Sequence, residues 1–412
     1  MRRTTERNFG GRECLSSFFL PCVLVGHDLF DNFVKQSSDI LMKNIVWLML
    51  GCLALTACSG GASDNFADTA DTLTFHASYL TMAELTDGTV VADIADPWNR
   101  DARLARYLFV DRDSAVPDSL PADVKLIRTP VERAAVFSSV YTGVMEELGV
   151  IDALKAVADV VYFPDGDTVK SLVAHSAIAD VGNSQNPSAE ILVSTRPEVL
   201  LRSPMQGITS APLPADIIPV ECADYMEDTP IGRAEWLLFF GELFGKRDEA
   251  RKIFDGVIDE YNSLAVKAAA ASSPKPKLLV ETETSGVWYV PAGESYAARL
   301  YSDAGADYPW ANTAGQGSLA LSLEEVASKA LDADVWLVRS FGYETTPRTL
   351  RALNPRYESF KALKDGNIYS CDTQKRNIFS EVPFHPERLL ADYIAIFHPE
   401  VMPDYETKYF RK

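Results

Sequence analysis

The chemistry of this 412-residue chain is concentrated in two matching segments. The first runs Ser188-Ala189-Glu190-Ile191-Leu192 and then Arg196-Pro197-Glu198-Val199-Leu200-Leu201-Arg202-Ser203. The second runs Ser322-Leu323-Glu324-Glu325-Val326 and then Asp332-Ala333-Asp334-Val335-Trp336-Leu337-Val338-Arg339-Ser340. Each reads as a Ser-capped helix with an early Glu, a short turn, an apolar strand and a terminal Arg-Ser. The carboxyl end of a strand is where open α/β sheets bind ligands. A guanidinium placed there can pair with the carboxylate or catecholate oxygens of a ligand. Signals for catalysis are weaker. Gly293-Glu294-Ser295-Tyr296-Ala297 approximates a nucleophile elbow but lacks the final Gly, and Ser295 is better explained as a helix N-cap. Asp303 and His385 have no spacing that makes them a triad with it. His76, His175, His385 and His398 are scattered, without HExxH or CxxC, so no metal site is expected. Neither GxxxxGK[ST] nor GxGxxG is present to bind a nucleotide. These motifs leave no expected catalytic residue and no expected cofactor.

Charge narrows the ligand class. The chain carries 39 Lys+Arg against 58 Asp+Glu, a formal net charge of −19, which argues against nucleic acid as a partner. Its 47% hydrophobic and 24% charged residues are ordinary globular composition. Met42-Lys43-Asn44, the apolar run at 45–55 and small residues before Cys58 form a secretory signal too short for a stable membrane span. Leu55-Thr56-Ala57-Cys58 resembles the bacterial lipobox, which makes Cys58 the expected lipidated first residue and Met42 the expected start. Removing the 6 basic and 5 acidic residues before Cys58 leaves 33 against 53, a mature charge of −20. Cys222 and Cys371 then remain unmodified, as two buried thiols or one disulfide. Residues 58–72 read as a flexible tether.

The elements that must position the Arg-Ser pairs follow from texture. Residues 73–120 look β-rich, with Asp87-Gly88 as a turn and Asp96-Pro97-Trp98 closing a hairpin-like region. After Pro121, short apolar runs alternate with helical patterns, the signature of βα units. Strands are expected at 134–137, 160–163, 198–201 and 217–220, with a helix at 141–148. Residues 232–271 lack proline and carry Trp236, Leu237, Phe240, Leu243, Phe244, Ile253, Val257 and Tyr261 at helical spacing, with Gly241, Gly245 and Gly256 as points of fraying or bending. A second α/β series has strands at 278–280, 288–290, 335–338 and 367–369. The fold class is α/β: two Rossmann-like lobes, 73–231 and 272–412, joined by a single long helix, with a small β-rich N-terminal extension.

These residues together resemble the iron-siderophore and vitamin B12 substrate-binding proteins of ABC importers, in the lipoprotein form. The resemblance covers about 130–400. It rests on 130–149, 190–201, the long helix, 322–338, Asn354-Pro355-Arg356-Tyr357 through Tyr369, and a closing helix ending at Phe397-His398-Pro399-Glu400. It implies an acid on each lobe that docks the ABC permease, here Glu190 and Glu324, with Glu325 a neighbouring alternative to the latter. It also implies a ligand held between the lobes: a ferric chelate, or else haem or cobalamin. From the first lobe Ser139, Tyr141, Tyr162, Arg202 and Met205 are candidates. Trp288, Tyr289, Arg339, Phe341, Tyr343 and Arg376 are candidates from the second. The expected partners are permease and ATPase subunits and a membrane reached through the anchor, with the protein a monomer in the cell envelope.

Overall fold

The computed structural model describes residues 69–412 apart from 117–119, 208–211 and 272–273. The signal segment, Cys58 and the tether as far as residue 68 lie outside the described residues. The last four tether residues are a strand, Thr69–Thr72, which pairs antiparallel with Leu80–Leu85. This strand opens a five-stranded sheet that continues through Val90–Asp96, Asn99–Asp111 and Val124–Thr129 in sequential order. The β-rich extension therefore runs nine residues past its expected end, because Val124–Thr129 pairs parallel with Asn99–Asp111 and sets Ile127 beside Phe109. Val90, Ala92, Ile94, Tyr107, Phe109 and Ile127 all enter the first lobe's core, the alternation of one buried face. Phe239 receives the rings of Tyr107 and Phe109 edge-on at 6.0 and 5.4 Å.

The first lobe holds a parallel sheet in the order Ile218–Glu221, Val199–Arg202, Ala134–Val136, Leu154–Val157, Ala179–Asp180. Residues 160–163 are not a strand. Val160–Tyr162 is a 3-10 turn entered through Asp159 in a left-handed conformation, with Val161 exposed and Phe163 buried. An apolar run of four cannot separate strand from turn by pattern alone. The second lobe has a parallel sheet, Leu278–Val280, Val335–Ser340 and Ile368–Asp372, with Val335–Ser340 central. Val287–Pro291, which contains Trp288, belongs instead to a separate antiparallel sheet with Glu283–Thr284 and Ser318–Leu321. The serine caps are in place: Ser138, Ser188, Ser295 and Ser322 each accept a backbone N–H of the helix they open.

The described residues form one compact unit, and a single helix, Arg247–Ala269, carries the crossing between lobes. The expected span of 232–271 is divided, because Pro230–Leu243 ends in a turn where Gly245 takes φ +66°. There Gly245 N–H bonds Glu242 O and Lys246 N–H bonds Gly241 O, a glycine-terminated helix end. The crossing helix buries Ala250, Phe254 and Val257 in the first core and Tyr261, Leu264 and Ala268 in the second. The lobes also touch at Gly143, where an added Cβ would lie 2.2 Å from Ser380 O. Cys222 and Cys371 are free, buried thiols in different cores.

The extension is tied down by two carboxylates. Glu235 accepts the N–H groups of Phe75, His76 and Ala77 at 2.7–2.8 Å, and Glu227 those of Ser78 and Tyr79 at 2.6 and 3.0 Å. Trp236 Nε1 also donates to Glu227, at 2.8 Å. Burial nevertheless pushes the Glu227 carboxyl up to about 7 from its ordinary 4.5. A raised carboxyl pKa makes the folded state the better proton binder, so Glu227 lowers stability as pH rises from 4.5 to about 7. The swing is on the order of 3 kcal/mol. In urea denaturation, wild type should gain stability relative to Glu227→Gln on going from about pH 8 to about pH 5. The same pH dependence in both proteins would contradict the assignment.

Candidate functional site

Loops that follow strands of both parallel sheets meet at the junction of the lobes, joined there by side chains from the helix Pro230–Leu243 and from the extension. Tyr162, half-buried, faces Phe341 across the cleft with ring centroids 6.0 Å apart. Beside them the Asp165 N–H donates to Gln374 O at 2.7 Å. At the other end of the junction Arg233 stands over the Tyr296 ring at 5.1 Å. Gln316 there accepts from Tyr79 Oη at 3.2 Å and donates to Asp228. The cleft is thus bounded at both ends by contacts between lobes. The aromatic rings in these contacts are Tyr162, Phe341 and Tyr296, with Arg233, Asp165, Gln316 and Asp228 as the polar groups beside them.

The expected ligand residues separate into two groups. Tyr162, Phe341, Tyr289, Met205, Ser139 and Arg376 are half-buried, and Tyr343 is 47% exposed. Ser139 is the first residue of the helix Ser139–Glu147. Tyr141 and Trp288, by contrast, are core residues, each 0% exposed. The Tyr141 hydroxyl is engaged by Ser203 Oγ at 2.6 Å and Asp224 Oδ1 at 3.0 Å, and burial pushes its pKa well up. Trp288 stacks on Trp336 at 5.8 Å and donates its indole N–H to Val280 O. An aromatic next to a strand end is drawn into whichever core has room for it, and spacing does not reveal which.

The two strand-end arginines are in place but not free. Arg202 Nε donates to Glu221 Oε1 and Oε2 at 3.0 and 3.1 Å, and Arg339 Nε to Glu281 Oε1 at 2.5 Å. Arg233, hidden in the sequence within an expected helix, pairs with Asp224 at 3.0 Å. Gln316, flanked by Gly315 and Gly317, was equally hidden in a loop. Among the described residues, no group of three His, Cys, Asp or Glu is placed to hold a metal ion, and no helix is long and apolar enough to cross a membrane.

The outer acids sit at helix starts. Glu190 is exposed in the first turn of Ala189–Thr195. Glu325 is used in its own capping box, accepting from Ser322 N–H at 2.7 Å. Glu324 is exposed and bonded by Arg356 at 2.7 Å, which holds its carboxyl below the ordinary range.

Residues 135–375 match the periplasmic binding protein family. The chain belongs to that family. Among its relatives, an uncharacterized lipoprotein of Methanocaldococcus jannaschii is 29% identical over 330 residues, 76% of this chain and 77% of that one. The fold is shared with a periplasmic heme binding protein from Pseudomonas aeruginosa, at TM-score 0.51 and 18% identity, covering 65% of this chain and 93% of that one. It is shared as well with the TroA-like periplasmic binding protein FepB from Veillonella parvula, at TM-score 0.50 and 17% identity, over 68% and 89%. At these identities the likeness is one of fold. In this binding protein the five-stranded extension precedes the matched region, and Tyr162 and Phe341 lie within it.

Proposed function

We propose that this periplasmic binding protein captures a metal chelate between its two lobes and delivers it to an ABC permease and its ATPase, without catalysing a reaction. The observation that carries this reading is the Tyr162–Phe341 pair, which faces across the cleft from loops of opposite lobes. The two rings touch at a 60° tilt, so they close one end of the cleft and offer a chelate lying beside them aromatic surface from both lobes. The first cargo class is a ferric siderophore, with haem or cobalamin the alternative. The structural relative from Pseudomonas aeruginosa, described as a periplasmic heme binding protein, supports cargo of this general kind. Tyr162, Phe341, Tyr289, Tyr343, Ser139, Met205 and Arg376 are the contact residues under this reading, with Arg202 and Arg339 behind them.

The protein works as a monomeric envelope lipoprotein held through Cys58, a placement supported by the relative named a lipoprotein. Two acyl chains suffice for stable anchoring. Glu190 and Glu324, exposed at helix starts on different lobes, dock the permease.

Tryptophan quenching of the full chain in detergent, titrated with ferric siderophores, haem and cobalamin, tests the cargo class. One of them should bind at micromolar or tighter, and Phe341→Ala should weaken it about tenfold or more. Failure of all of them to bind would contradict the reading. In cells, Glu190→Lys with Glu324→Lys should abolish uptake while leaving chelate affinity intact, and Cys58→Ala should shift the protein out of the membrane fraction. Unchanged uptake would remove the docking role, and an unchanged fraction the anchor.

A further inference from the structure

The cleft has met each of its strand-end arginines with a carboxylate of its own. Arg202 and Glu221 are register partners on adjacent parallel strands, with Arg202 Nη2 2.5 Å from Glu221 Oε1 in addition to the two Nε bonds. Arg339 is countered from the equivalent direction, by the residue just past the neighbouring strand Leu278–Val280. Glu281 reaches it from a left-handed backbone, φ +61°, and also lies 3.4 Å from the Arg339 backbone N–H through Oε2. A left-handed glutamate is unfavourable in itself, so this carboxylate is held where it is by its surroundings. The four side chains are 11–21% exposed, close enough to the surface for a bound molecule to sense their field.

The remaining charges do not restore a positive site. Arg233 is closed by Asp224. Lys125 stands near Arg202 and Glu221, and burial lowers its pKa. Asp165 and Asp228 sit at the two ends of the junction, and Asp372 accepts the Gly342 N–H beside Phe341 at 2.9 Å. Arg376, which makes no hydrogen bond or ion pair among the described residues, is the one cation of this set left uncompensated, a single charge against a multiply anionic ligand.

An anion entering such a cleft must compete with a fixed carboxylate for each guanidinium. In a partly desolvated site that competition is expensive, because displacing Glu221 or Glu281 leaves a charge without its partner. A neutral molecule leaves both pairs intact and uses the tyrosine and phenylalanine faces. Resting on the binding-protein reading above, we propose that the cargo is an uncharged or near-neutral metal chelate and that Glu221 and Glu281 are the residues that exclude multiply anionic ones. They act as a repulsive element against the wrong ligand, a common route to specificity.

The test uses the full chain in detergent with three probes: a neutral ferric trihydroxamate, cobalamin and a trianionic ferric tris-catecholate. Wild type should bind at least one of the first two about 100-fold or more tighter than the third. Glu221→Gln with Glu281→Gln should narrow that gap about tenfold or more by tightening the trianion, with the neutral probe within about threefold. Wild-type preference for the trianion, or an unchanged gap in the variant, overturns the proposal while leaving the binding-protein reading standing. If the double Gln variant does not fold, Glu281→Gln alone should narrow the gap about threefold or more by tightening the trianion, and a smaller change overturns the proposal. Failure of wild type to bind any probe overturns the underlying reading and this proposal together.

Discussion

One helix holds the two lobes in register. Arg247–Ala269 buries Ala250, Phe254, Val257, Tyr261, Leu264 and Ala268, an alternation of four- and three-residue steps that keeps one stripe on one side for about five turns. The first half of the stripe is part of one hydrophobic core and the second half part of the other. Burying Phe254, Val257, Tyr261 and Leu264 contributes roughly 6–12 kcal/mol in all. A micromolar ligand supplies only about 8 kcal/mol. Peeling this seam open would consume most of that binding energy, so the crossing helix resists a large hinge motion of the lobes. The strand ends, the aromatic pair at the rim and the Arg–Glu pairs are all positioned by that constraint.

The extension reinforces the same arrangement from the side. Its sheet leans on Phe239 in the helix that precedes the crossing, and the Tyr107 hydroxyl both donates to Pro219 O and accepts from Glu221 N–H. The sheet thus touches the strand that carries one of the cleft carboxylates. Its loop at 75–79 presents five consecutive N–H groups to Glu235 and Glu227, and from that loop Tyr79 reaches Gln316 in the second lobe. A segment ahead of the family's matched region has become part of the frame around the cleft.

What the sequence revealed was local. Caps at Ser188, Ser295 and Ser322 need only a hydroxyl and an N–H three residues on, and all three formed. The strand at Leu278–Val280 and the helix end at Phe397 were legible from apolar runs and their terminators. The break at Gly245 was less so, since a glycine inside a helical pattern can fray, bend or end it, and the packing of Ala250 against Gly241 decides which. Partner identity was the least legible part of the site. The Arg-Ser ends stood out as cations, but Glu221 and Glu281, which cancel them, lie 19 and 58 residues away and meet them only through strand pairing. Tyr141 and Trp288 were misplaced for the same reason: the tertiary core, which spacing does not show, decides whether an aromatic at a strand end faces ligand or interior.

Cargo held between the lobes, as proposed, must be gripped by both at once. Hydrogen exchange of the full chain, with and without whichever ferric chelate, haem or cobalamin binds most tightly, measures this directly. Protection should rise together in the loops around Tyr162 and Met205 and in those around Phe341 and Arg376, with the crossing helix unchanged. Protection confined to one lobe, or appearing away from the strand ends, would contradict the account.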